Sequence, residues 1–143
     1  MEKTDWIIIV LEAANGEKLT PAQLQKSLFL IKQNIPGNFK KNYYDFEPYN
    51  YGPFCRDIYV DAKELEDENL VSINWSQEKR WREYSITIKG VERYKKIIKE
   101  LPEETINFIE ELVNGIRKLS FQQLISYIYK NYPEYKKNSV FMG

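Results

Sequence analysis

Pro48, Gly52 and Pro53 lie close together in the first half of the chain, and no helix runs through such a stretch. Pro48 donates no backbone hydrogen bond, and Gly52 directly before Pro53 permits a turn that bulkier residues resist. Tyr43, Tyr44, Phe46, Tyr49, Tyr51 and Phe54 surround them, so the segment from Tyr43 to Phe54 reads as a rigid aromatic corner. Asn50 and Gly52 are turn formers, and a proline in the first helical turn loses no intrahelical bond. The corner is therefore expected to deliver the chain into a helix, with Pro53 in its first turn.

Two readings of the corner follow. Tyrosine packs a near-surface core while leaving its hydroxyl wet, which is a structural role. Alternatively Tyr49, Tyr51 and Phe54, shaped by Gly52 and Pro53, form a partner-binding patch, because exposed aromatics concentrate binding energy in small areas.

The rest of the chain supplies helices on either side. Thr4 is the expected N-cap of a first helix in which Trp6, Ile9, Val10 and Ala13 form one stripe, ended by Asn15-Gly16. Thr20-Pro21 opens a second, with Leu24, Leu28, Phe29 and Ile31 on one side. After the corner, Phe54, Ile58, Ala62 and Leu65 mark a third, closed near Asn69, with Cys55 just inside it as a buried thiol. Val71, Ile73 and Trp75 then alternate with polar residues, and Tyr84, Ile86 and Ile88 repeat the alternation, which predicts an antiparallel hairpin. Lys89-Gly90 is expected to end the second strand.

Three helices followed by a hairpin is the order of a winged helix-turn-helix unit. The predicted fold is thus mainly α with a small antiparallel β-hairpin, a winged unit over residues 1–90 and a helical extension over 91–143, within a single domain. The extension carries a fourth helix on Val91, Tyr94, Ile97, Ile98 and Leu101, and a fifth on Ile106, Ile109, Leu112, Val113 and Ile116. A sixth, capped at Leu119-Ser120, carries Phe121, Leu124, Ile125, Ile128 and Tyr129 and is stopped by Pro133. The tail from Tyr135 onward shows no period and is expected to fray.

Composition bounds the chemistry. The 143 residues contain no histidine and only one cysteine, Cys55. Zinc sites of Cys and His, Ser-His-Asp triads, Cys-His pairs and internal disulfides are excluded, and no metal or cofactor is expected. Acid-base work would fall to Asp45 with Glu47 or Asp57 with Asp61, but like-charged pairs at these spacings are ordinary solvated surface, so no catalytic residue is assigned. No apolar run approaches the ~20 residues that span a bilayer, and the expected location is the cytoplasm.

The motifs Leu24-Gln25-Lys26 and Tyr51-Gly52-Pro53, at their present separation, resemble those of Panacea domains, the SocA-like antitoxin family. The likeness runs from about Thr20 to Leu70. Tyr49 stands where that family often has tryptophan, and Phe54-Cys55-Arg56 replaces its commoner aliphatic residues. A more general resemblance to small prokaryotic winged-helix regulators covers residues 4–90. The first resemblance implies a protein that neutralises a partner toxin or regulates its own operon, and not an enzyme.

Charge separates the two options. The third helix is the one that normally enters the major groove. Here Arg56 and Lys63 face Asp57, Asp61, Glu64, Glu66, Asp67 and Glu68. A duplex repels such a face, because phosphate neutralisation supplies most DNA affinity. The first expectation is accordingly a protein-interaction module, antitoxin-like, in which Tyr49, Tyr51, Gly52, Pro53, Phe54, Asp57 and Asp61 grip a basic protein partner such as a toxin. The alternative is a dimeric DNA-binding transcriptional regulator, with Arg56, Lys79, Arg80 and Arg82 on phosphates, Trp75, Trp81 and Tyr84 interleaved among them, and the later helices forming a homodimer contact.

Overall fold

In the computed structural model, which describes residues 1–142, the chain forms six α-helices and two short antiparallel hairpins, with its buried apolar residues in two clusters. The helices are α1 (Asp5–Ala13), α2 (Pro21–Asn34), α3 (Arg56–Asp67), α4 (Ile88–Ile97), α5 (Glu103–Arg117) and α6 (Phe121–Asn131). Strands β1 (Glu47–Tyr49) and β2 (Gly52–Phe54) pair with each other, and β3 (Val71–Trp75) pairs with β4 (Arg82–Ile86). The fold is mainly helical with a β-hairpin following α3, as the sequence predicts.

The central helix is α1. Every residue from Asp5 to Leu11 is buried, so the single apolar stripe expected there is replaced by burial on all sides, with α2, α4, α5 and β4 packed around it. Thr4 makes no side-chain cap. The buried Asp5 carboxylate takes that place, accepting from the Glu2 amide at 2.9 Å and from Arg93 Nη2 of α4 at 3.0 Å. Since α4 and α5 contribute Ile97, Ile109 and Val113 to the core around α1, the extension is packed onto the winged unit. Ile116, Leu124, Ile125 and Ile128 close a second cluster around Phe29 and Leu30 of α2. The later helices thus bury part of their apolar faces inside the chain, while Ile88, Phe121 and Tyr127 remain exposed.

Local signals place most boundaries. Thr20 and Gln23 form a reciprocal capping box at α2, and Ser120 and Gln123 do the same at α6. Asn69, at φ 65°, turns the chain out of α3 into β3. The β4 strand also exchanges two backbone hydrogen bonds with Leu19, through Tyr84, at 2.8 and 2.9 Å. Ile88 leaves the predicted strand: Thr87 caps α4 by accepting from the Gly90 amide, and Ile88 is 85% exposed in the first turn. Trp75 too is exposed, so alternation fades toward the hairpin tip.

Two further expectations are corrected. Pro53 does not open α3; it pairs with Pro48 across β1 and β2, and the helix starts at Arg56 with Cys55 as its N-cap residue. Phe54 therefore belongs to β2 and not to the α3 stripe. Nor is the tail loose over the described residues. Val140 N donates to Asn50 O at 2.9 Å, Ser139 Oγ to the same oxygen at 3.3 Å, and Phe141 packs on Phe121 and Tyr129.

Candidate functional site

The corner divides into a structural half and an exposed half. Tyr43 and Tyr44 are buried: the Tyr43 hydroxyl donates to Leu28 O at 2.6 Å, and the Tyr44 hydroxyl to Asp61 Oδ2 at 2.7 Å. Burial pushes both phenols up, and the Asp61 carboxylate adds to the effect at Tyr44. Tyr49 and Tyr51, by contrast, are 49% and 44% exposed at the turn of the β1–β2 hairpin.

Gly52 fixes how that hairpin lies. Its φ of 98° suits glycine, and a Cβ there would meet the Tyr129 ring at 3.4 Å and Lys26 Cε at 3.9 Å. The hairpin consequently rests on both α6 and α2. Tyr49 stacks on Phe54 at 4.8 Å, Phe54 leans on Tyr59 of α3 at 5.8 Å, and Tyr51 meets Phe121 of α6 edge-on at 5.2 Å. Between these rings and the start of α2 opens a groove of about 610 Å³, also lined by Pro21, Leu124 and Trp81.

Lys26 stands in the groove wall and is only 4% exposed. Burial lowers its pKa to about 8. Among the described residues it has neither a hydrogen-bond nor an ion-pair partner, and no carboxylate lines the groove. Its neighbour Gln25 has a separate task. The buried Gln25 amide donates to Cys55 O at 2.8 Å and accepts from Cys55 N at 3.0 Å, clamping the start of α3 to α2. Cys55 is buried in that clamp, and its thiol is pushed up by burial.

Of the expected partner residues, Tyr49, Tyr51, Gly52 and Phe54 line the groove. Pro53 is buried behind it. Asp57 and Asp61 are outside, Asp57 exposed in the first turn of α3 and Asp61 engaged by Tyr44. Lys26, Trp81 and Phe121 were not among those expected, and they complete the wall. The readable signal for Lys26 was its placement on α2 between Ala22 and Leu30, at helical spacing along an apolar face.

The expected nucleic-acid residues divide between α3 and the β3–β4 tip. Arg56 is exposed at the start of α3, while Lys79, Arg80 and Arg82 are at the β3–β4 tip, where Lys79 adopts φ 58°. Arg80 approaches Glu78 at 3.6 Å, and the Arg82 guanidinium lies 4.1 Å over the Trp75 ring. On α3, Lys63 pairs with Glu66 at 2.9 Å and with Asp67 at 3.3 Å, and Glu66 also accepts from Ile73 N. Asp57, Glu64, Asp67 and Glu68 remain exposed along that helix and its end.

Neither a family model nor a curated protein matches the chain. No described helix is long and apolar enough to cross a membrane, and no described group of His, Cys, Asp and Glu is placed to hold a metal ion.

Proposed function

We propose that the protein is an interaction module that takes an apolar segment of a partner polypeptide into the groove between the β1–β2 hairpin, α2 and α6. The supporting observation is the convergence of Tyr49, Tyr51, Trp81 and Phe121, all exposed, around one apolar concavity. Large aromatics left open in this way are the usual anchors of protein interfaces. The exposed carboxylates elsewhere on α3, which supplies Tyr59 to the wall, favour a partner with basic residues. The resemblance to Panacea domains suggests the class of partner, a toxin that this chain neutralises.

The test is capture of an identified partner. Mass spectrometry names what co-purifies with the tagged chain, and the paired substitution Tyr49→Ala with Tyr51→Ala is expected to release it with circular dichroism unchanged. Equal capture by that variant removes the proposal.

A wing-led regulator is the second reading, favoured by the Arg82–Trp75 stack beside Lys79 and Arg80 at an exposed tip. It predicts retardation of upstream DNA at low salt, lost when Lys79, Arg80 and Arg82 become alanine. No retardation at low salt ends it.

A further inference from the structure

A lysine is a costly residue for the wall of an apolar groove. Removing an ammonium from water without a compensating anion is unfavourable by several kcal/mol, on the order of what a whole small domain has to spare. Methionine has similar length and would fill the same space. Lys26 is nevertheless there, nine-tenths buried, lining the groove and unpartnered among the described residues. We propose that Lys26 binds the free C-terminal carboxylate of a partner chain that ends in an apolar or aromatic residue. This deepens the docking reading above and rests on it.

The counter-charge has to come from outside. The titratable residues that share the groove with Lys26 are tyrosines, Tyr49, Tyr51 and Tyr59, with Tyr129 beneath Gly52. The carboxylates of the adjoining elements are committed or turned elsewhere: Asp61 accepts from Tyr44, Glu66 pairs with Lys63, and Asp45 pairs with Lys32 at 3.0 Å.

The wall also explains why a chain end fits better than a strand threaded through. Part of its polar complement is already used, Thr20 with Gln23 and Ser120 with Gln123 in the two capping boxes, and the Asn50 carbonyl with Val140 N and Ser139 Oγ, which leaves the Tyr49 and Tyr51 hydroxyls and the Trp81 indole N–H at the exposed rim. A backbone passing through would bury several peptide groups against a mostly apolar wall with only these few rim groups to bond. A C-terminus brings its carboxylate and its last side chain together, with one peptide fewer to satisfy. A groove of about 610 Å³ accepts a terminal aromatic and part of the residue before it. Asp57, Glu64, Asp67 and Glu68, exposed on α3 and its end outside the groove, suit basic residues in the rest of the partner.

Calorimetric titration of the full chain tests this with a synthetic acetylated hexapeptide, basic at its start and ending in Leu-Phe. It is used as the free acid and as the C-terminal amide, beside N-acetylphenylalanine as a small acid. The free acid is expected to bind about tenfold or more tighter than the amide, the step a charge-assisted hydrogen bond supplies. Lys26→Met should erase that difference, and Lys79→Ala with Arg80→Ala should keep it. Equal binding of acid and amide overturns the carboxylate assignment and leaves the groove as an apolar docking site. N-acetylphenylalanine binding as tightly as the peptide overturns the chain-end assignment. Binding of neither peptide overturns the inference, while the partner-capture experiment separately decides the docking reading. Should Lys26→Met not fold, the contrast between acid and amide on the unaltered chain still decides.

Discussion

The two hairpins of this protein are built by opposite means. The β3–β4 hairpin has five-residue strands whose alternation puts Val71 and Tyr84 inward and leaves a charged tip in solvent. The β1–β2 hairpin has three-residue strands with a proline in each, paired opposite one another, and owes its position to neighbours: α2 and α6 below Gly52, and the tail bonded to Asn50. A hairpin with its own apolar pattern can project freely. One without it has to be held from outside, and its exposed rings then form the rim of whatever holds it.

The strongest way to break this contrast is at the root of the projecting hairpin. A Cβ at Gly90 would sit 2.7 Å from Ile86 Cγ1 and closer still to the Leu70 carbonyl oxygen, where backbone would have to move. Gly90→Ala is expected to cost about 3 kcal/mol, the upper end for forced overpacking, read as a fall in denaturation midpoint. A loss below about 0.5 kcal/mol would show that β4 and α4 are not locked together there.

Next in size is Lys26→Met, which should stabilise. Because the Lys26 pKa falls from 10.5 unfolded to about 8 folded, unfolding takes up a proton between those values. The destabilisation is complete below pH 8 and disappears as pH climbs to 10.5. The gain on substitution is therefore roughly 3 kcal/mol at neutral pH, shrinking through that window. Cys55 and the buried tyrosines act in the opposite direction as they ionise, since their folded values are raised. The difference between the two proteins cancels those contributions, and a difference that stays constant from pH 7 to 11 would refute the assignment.

Gly52→Ala probes the held hairpin. Forcing φ 98° on a residue with a side chain costs about 1–2 kcal/mol, and the tilt of Tyr49 and Tyr51 should change with it. Partner capture is expected to drop more than stability does, and unchanged capture would separate the groove from Gly52. The smallest effect belongs to the projecting tip. Arg82→Ala removes the stack on Trp75, worth about 0.5–1 kcal/mol, and should leave capture untouched. Loss of the partner in that variant would extend the docking surface from Trp81 onto the charged part of the tip.

The sequence was readable where a residue's role is local. Thr20 and Gln23, Ser120 and Gln123, and the alternation of Val71 and Ile73 announce themselves within a few positions. It was not readable where the role is set by distant chain. Thr4 looks like a cap, yet Asp5 is the residue satisfied there, through Arg93 eighty-eight positions away. The tail has no period because past Lys136 it forms neither helix nor strand and is held by single contacts to distant chain, Val140 N and Ser139 Oγ on Asn50 and the Phe141 ring on Phe121 and Tyr129, which repeat at no spacing. The rim residues Tyr49 and Tyr51 stood out as aromatics beside a turn, whereas Lys26 was hidden within a helix motif and gained its meaning only when Gly52 was folded over it.

The placement of Trp81 has a practical consequence. Trp6 is enclosed in the core and Trp75 lies beneath Arg82, so among the three indoles Trp81 alone forms part of the groove wall. Its emission should shift or be quenched when the groove fills, and with Trp6 and Trp75 replaced by phenylalanine the chain would report its own occupancy without any added dye.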